Sequence, residues 1–112
     1  MKVFISQPMH GLSEDQIKHE LEEAKKRIIS FYPDKNTDIE FVSTYEQPHP
    51  DPEIEYKNIR LYYLGNSIKR LGECDAIYFC PGWYKANGCR IEHMIAELYN
   101  IEILNWKLYY GG

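Results

Sequence analysis

The chain has 112 residues, 44% of them hydrophobic and 27% charged, with a formal net charge of −4. That length holds one domain, residues 1–112, with no room for a second core, and the composition is that of a folded chain rather than a disordered one. The longest apolar runs are four or five residues, too short to span a bilayer, and the acidic, scattered charge offers no basic groove for polymeric nucleic acid. A free nucleotide stays possible, because holding one needs only a few local donors.

In chain order, Val3-Phe4-Ile5 reads as a buried strand that stops at Ser6-Gln7-Pro8. It opens without the layout of a signal peptide. Ser13 and Gln16 have the spacing of a capping box, with Glu14 and Asp15 well placed for the helix dipole. Behind them Ile17, Leu21, Ala24, Ile28 and Phe31 mark one face of an amphipathic helix, ended by Pro33 and Asp34. Glu14 with Lys18, and Glu22 with Lys26, are i,i+4 pairs on its outer face.

Residues 39–43 predict a second strand, followed by a proline-rich loop that is either a lid or a connector. Asp51-Pro52 has the chemistry of a new helix start, and Leu61, Leu64, Ile68 and Leu71 continue that helix, with Gly65 a candidate kink. Residues 76–80 are apolar throughout, as in a strand covered on both faces. The loop 81–87 leads to a helix over residues 88–99 built on Ile91, Ile95 and Leu98. Residues 101–104 predict a fourth strand and residues 107–110 a fifth. Strands alternating with helices imply an α/β, three-layer Rossmann-like (flavodoxin-like) domain with a mainly parallel sheet of four to five strands.

Cys74, Cys80 and Cys89 are an odd set without a Cys-x-x-Cys pair, which reads as reduced thiols in a cytoplasmic protein. Cys80, Cys89 and His93 raise the question of zinc, but no convincing fourth ligand accompanies them, so no metal and no cofactor is expected. His10 and His49 fall on loops, where a solvated imidazole is the default; His10 is also a candidate to face the cleft. Ten tyrosines, and the cluster of Tyr99, Trp106, Tyr109 and Tyr110, suit cleft walls or a self-association surface.

In an open parallel sheet, ligands bind beyond the carboxyl ends of the strands. Two segments reach that edge with unusual residues: Ser6-Gln7-Pro8 and the stretch that carries Gly82, Trp83, Asn87 and Gly88. Gly88 would permit close backbone approach at a helix N-terminus, where free N–H groups favour an anion. Glu92 lies in the first turn, one residue off the Ile91, Ile95 and Leu98 stripe, and the dipole there favours its ionised form. Such a carboxylate either attacks a sugar anomeric carbon or simply complements the dipole. Trp83 and Tyr84 are a base-stacking pair or a dimer contact. Arg90, a cation near a helix N-terminus, points to a phosphate or to a carboxylate, that of Glu92 or one on a neighbouring subunit.

Val3-Phe4-Ile5-Ser6-Gln7-Pro8-Met9, residues 75–83 and Gly88-Cys89-Arg90-Ile91-Glu92-His93 together resemble a family of small bacterial and phage proteins within the nucleoside 2-deoxyribosyltransferase-like superfamily. The resemblance implies a Gly-x-x-x-Glu motif at Gly88 and Glu92, with Glu92 attacking C1′ of a 2′-deoxynucleoside. The base then leaves, and water or a second base takes the sugar. It also implies a substrate-side turn at Gln7-Pro8 and a homo-oligomer, dimer or higher. The pattern departs at Ala86, Phe4, Cys89 and Met94, where characterised members commonly carry Asp, Tyr, Thr and a small residue. No carboxylate stands between Cys80 and Gly88 to protonate a leaving base; Tyr45, Glu46, His49 and Asp51 are the substitutes, with Asp75 a weaker one. The expected function is a nucleoside or nucleotide N-glycosidic enzyme, transferase or hydrolase. The alternatives are a non-catalytic nucleotide-binding module and a structural or interaction protein.

Overall fold

The computed structural model describes residues 1–34, 38–45 and 47–105. Among these, strands β1 (Lys2–Ser6), β2 (Glu40–Ser43), β3 (Ala76–Phe79) and β4 (Glu102–Ile103) alternate with helices α1 (Glu14–Ser30), α2 (Ile59–Leu71) and α3 (Asn87–Leu98). A single 3-10 turn, Trp83–Lys85, precedes α3. The sheet is parallel throughout, in the order β2-β1-β3-β4. The expected strand over residues 107–110, together with Glu46, Trp106, Tyr109 and Tyr110, lies outside the described residues.

β1 and β3 are apolar on both faces because both faces are covered. Val3, Ile5, Tyr78 and Cys80 pack under Leu21, Ala24 and Ile28 of α1. Phe4, Ile77 and Phe79 pack under Leu71 of α2 and under Trp83, Cys89 and Ala96. Reversal of the chain's travel across the sheet after β2 puts α1 on one face and the later helices on the other. The result is the three-layer, Rossmann-like α/β fold.

The capping box forms: Ser13 Oγ accepts from Gln16 N–H at 3.1 Å, and Gln16 Oε1 accepts from Ser13 N–H at 2.9 Å. Ile17, Leu21, Ala24 and Ile28 are buried as expected, whereas Phe31 is the C-cap residue and is exposed. Of the two i,i+4 pairs, Glu14–Lys18 forms at 3.5 Å; Glu22 instead meets Lys25, and Lys26 meets Glu23, both at i,i+3.

The second helix starts later than Asp51-Pro52. Asp51 closes a turn of its own, its Oδ1 accepting from Glu53 N–H at 2.9 Å, a local bond that competes with helix formation. Residues 51–58 offer little to bury, and Ile54 is exposed. The helix begins only at Ile59, capped by the Asn58 side chain on Arg60 N–H, and it runs through Gly65 to Leu71.

α3 is turned differently from its apolar pattern. Cys89, Glu92, His93 and Ala96 face inward, while Ile91 and Leu98 are exposed. At 3.6 residues per turn, this rolls the helix by roughly 140° from the Ile91, Ile95 and Leu98 stripe. Small Cys89 and Ala96 let the helix approach Phe4, Phe79 and Trp83, and the buried carboxyl finds a hydroxyl on β1. No described helix is long and apolar enough to cross a membrane.

Candidate functional site

The order β2-β1-β3-β4 places a topological switch point between β1 and β3, and in open α/β sheets ligands bind beyond the carboxyl ends at such a point. Ser6 ends β1 on the same face as Phe4, because side chains alternate along a strand. From that position its hydroxyl donates to Glu92 Oε1 at 2.7 Å, joining residues 86 apart in sequence. α3, entered from the carboxyl end of β3, carries the acid to this point. Its N-cap is Ala86, whose side chain caps nothing.

Glu92 is 2% exposed. Burial pushes its pKa from 4.5 up to about 7, and the Ser6 hydrogen bond pulls the other way. The helix dipole alone suggests an ionised acid, but desolvation outweighs it, so near pH 7 both protonation states are populated. The neighbouring Cys89 thiol is buried and pushed up to about 12, although the Ser6 hydroxyl opposes that rise. It stays neutral.

The remaining candidates divide between places. Gln7 is buried but turns to the α1 side, where its Nε2 donates to Ile17 O at 2.7 Å. Its Oε1 has no partner among the described residues. Pro8 follows, half-buried. Gly82 adopts φ 82°, a left-handed turn suited to glycine, and starts the 3-10 turn. Trp83 is buried, its ring stacked on His93 at 4.4 Å and tilted against Phe79 at 5.0 Å, so one face is already occupied. Asn87 is exposed in the first turn of α3, and Gly88 is half-buried. A Cβ on Gly88 would meet only Leu64 Cδ1 at 3.9 Å, so packing does not demand glycine there. Arg90 is exposed on the side of α3 opposite Glu92, where it borders a groove of about 380 Å³ with Tyr84, Met94 and Glu97. Glu92 lines neither this groove nor a second one of about 200 Å³ against α1.

Three polar residues, Thr44 and Gln47 after β2 and Asn66 on α2, escaped the sequence reading. Ile5 pairs with Ser43, so the next step along the strands sets Thr44 next to Ser6. Thr44 Oγ1, Gln47 Oε1 and Asn66 Nδ2 are buried without hydrogen-bond partners among the described residues. Gln47 Nε2 donates to Ser67 Oγ of α2 at 2.7 Å, which ties the segment after β2 to that helix. These atoms are a hydroxyl, an acceptor and a donor. Alternation through Val42 and Thr44 is a signal that could have found Thr44; nothing local marks Gln47 or Asn66. Of the proposed proton donors, Tyr45 hydrogen-bonds Glu14 on α1 at 2.7 Å, and His49 and Asp51 are exposed. His10 is exposed too. Asp75 accepts from Lys2 N–H at the opposite edge of the sheet.

His93 is buried beside Trp83, and its Nδ1 lies 2.8 Å from Glu97 Oε1. Burial lowers its pKa, and Glu97 counteracts part of that. No group of three or more metal-binding side chains is assembled among the described residues.

The fold defines a small doubly wound α/β domain in which, among the described residues, Glu92 is the one buried acid, held at the end of β1. Residues 38–105 match the domain of unknown function DUF4406, and the chain belongs to that family. The match takes in Thr44, Trp83 and Glu92 and begins beyond β1, so Ser6 and Gln7 lie outside it. No curated protein and no solved structure matches the chain.

Proposed function

We propose that the chain is a nucleoside or nucleotide N-glycosidic enzyme with Glu92 as its nucleophile. The observation that carries the reading is the Ser6–Glu92 pair, a buried acid held at 2.7 Å from a hydroxyl at the switch point. An ionised Glu92 attacks C1′, the C–N bond breaks, and the base leaves with the bonding pair and takes up a proton from solvent water. Water or a second base then attacks C1′ of the Glu92 ester and frees the carboxylate. A carboxylate stripped of water is a stronger nucleophile than a solvated one, and the Ser6 hydroxyl keeps a usable fraction ionised near pH 7. Thr44, Gln47 and Asn66 offer the neutral donors and acceptors that sugar hydroxyls and base edges use. The uncapped first turn of α3, at Asn87 and Gly88, suits a 5′-phosphate. Reaction requires the buried carboxyl to become reachable. Three free thiols suit a reducing, cytoplasmic setting.

The test is release of free base, followed by chromatography, from 2′-deoxynucleosides and their 5′-monophosphates. Release by the wild type but not by Glu92→Gln is expected; full turnover by Glu92→Gln would sink the mechanism. The 2% exposure of Glu92 favours a second reading, a nucleotide-binding module in which Glu92 only latches α3 to β1. Ligand-dependent stabilisation without base release, equal in wild type and Glu92→Gln, selects it.

A further inference from the structure

The face of α3 turned away from the sheet is apolar at its centre and charged along one flank. Met94 and Leu98 are 60% and 70% exposed, and Ile91 is exposed beside them. At 3.6 residues per turn these three share one outward stripe, and exposed Tyr84 adjoins the same groove as Met94 and Leu98. Methionine and aromatic side chains clustered in this way mark an interaction surface rather than ordinary scatter.

The flanking charges say what covers it. Arg90 and Glu97 are two turns apart and stand on the same side of the stripe. Arg90 sits in the first turn, where the helix dipole disfavours a cation, and it makes no ion pair among the described residues. Glu97 is 61% exposed, and only its Oε1 is engaged by His93. The two charges lie almost equally far before and after Met94. That makes the patch self-complementary. A two-fold axis through Met94 turns a copy of α3 antiparallel and brings each flank against its own equivalent. A parallel pairing would set that flank against the opposite one and leave Arg90 without Glu97.

We propose that the outward face of α3 is a self-docking surface on which a second copy of this chain packs antiparallel about Met94, Arg90 of each copy facing Glu97 of the other. The groove of about 380 Å³ then receives Met94 and Leu98 of the second copy. Glu92 faces the sheet, on the far side of the helix, so the pairing does not depend on the N-glycosidic reading.

Sedimentation velocity at micromolar concentration tests it on five samples: wild type, Met94→Lys, Arg90→Glu, Glu97→Arg, and an equimolar mixture of the last two. The wild type is expected to sediment at twice the chain mass and Met94→Lys at the chain mass. Each single charge variant sets like charges across both symmetric contacts, and its dissociation constant rises by about tenfold or more. In the mixture both contacts again join opposite charges, so the mixed dimer recovers the wild-type affinity. All the substituted side chains are exposed, and circular dichroism verifies that each variant is folded. A monomeric wild type overturns the proposal, as does a dimer that Met94→Lys leaves intact. A mixture no tighter than its separate components overturns it as well.

Discussion

Glu92→Gln should stabilise this fold at neutral and alkaline pH relative to acid. In the native state burial raises the carboxyl pKa from 4.5 to about 7 against the pull of Ser6. In the unfolded chain the same group sits in water at its ordinary value. The native state therefore holds its proton more tightly, so this group's contribution is whole below pH 4.5 and is lost as pH rises through about 7. At about 1.36 kcal/mol per tenfold change in proton affinity, the loss amounts to about 3 kcal/mol. Among the groups facing the carboxyl, Ser6 does not titrate in this range and the Cys89 thiol stays neutral to about 12. Other titrating groups, His93 included, are common to variant and wild type, so the difference between the two belongs to Glu92.

Glutamine keeps the shape, still accepts from Ser6, and carries no charge at any pH. Its buried amide N–H groups add a cost of about 1–3 kcal/mol if they find no acceptor, but that cost does not vary with pH. The quantity to read is therefore the change with pH of the stability difference between variant and wild type. Urea unfolding at a series of values from pH 4.5 to 8.5 should show the difference moving in the variant's favour by about 3 kcal/mol. A difference that stays flat across that range refutes the account of the buried acid.

Other outcomes follow from the same contacts. If Glu92 is the nucleophile, kcat/KM for base release rises with pH through about 7, as the carboxyl ionises; a profile flat from pH 5 to 9 excludes that role. Asn105 is 2% exposed and bonds both the N–H and the carbonyl of Phe79, at 3.2 and 2.8 Å, so Asn105→Ala costs about 2–4 kcal/mol in urea unfolding. Gly88→Ala meets only ordinary contact with Leu64 and gains helix propensity, so Tm holds or rises; a fall contradicts the packing at α3. Burial holds the Cys80 and Cys89 thiols at about 12, so a thiol reagent should label them far more slowly in native protein than in urea.

The strands and α1 were legible because their signals are local. A capping box, an apolar period and runs of apolar residues each act over a few neighbours, and tertiary packing agreed with them. The α2 start was misread because Asp51-Pro52 is equally good turn chemistry, and only the lack of anything to bury in residues 51–58 decides the matter. The span of α3 is legible, but the face it buries is not, for a deeper reason. Its strongest apolar stripe, Ile91, Ile95 and Leu98, is not the face that fits the sheet, since close approach favours small Cys89 and Ala96, and burying Glu92 depends on a hydroxyl 86 residues away. Glu92 itself is marked by its place in the first turn of the helix and by the family resemblance, but its raised pKa is not legible, because the dipole is visible in sequence and desolvation is not. Thr44, Gln47 and Asn66 depend on α2 meeting the end of β2, where Gln47 donates to Ser67 Oγ and Arg70 to Ser43 O.

The same distinction bears on why an acid stands there at all. A latch between α3 and β1 needs one acceptor for the Ser6 hydroxyl, and glutamine supplies it without the loss of stability above neutral pH. A carboxylate adds two things that glutamine lacks: a nucleophilic oxygen and a proton that moves near pH 7. Buried acids are destabilising when ionised, and perturbed ones gather at functional sites. If Glu92→Gln gains stability with rising pH and loses base release, the strain of the buried charge is the cost of the chemistry. If it gains stability and changes nothing else, the pair is a fastening between α3 and β1.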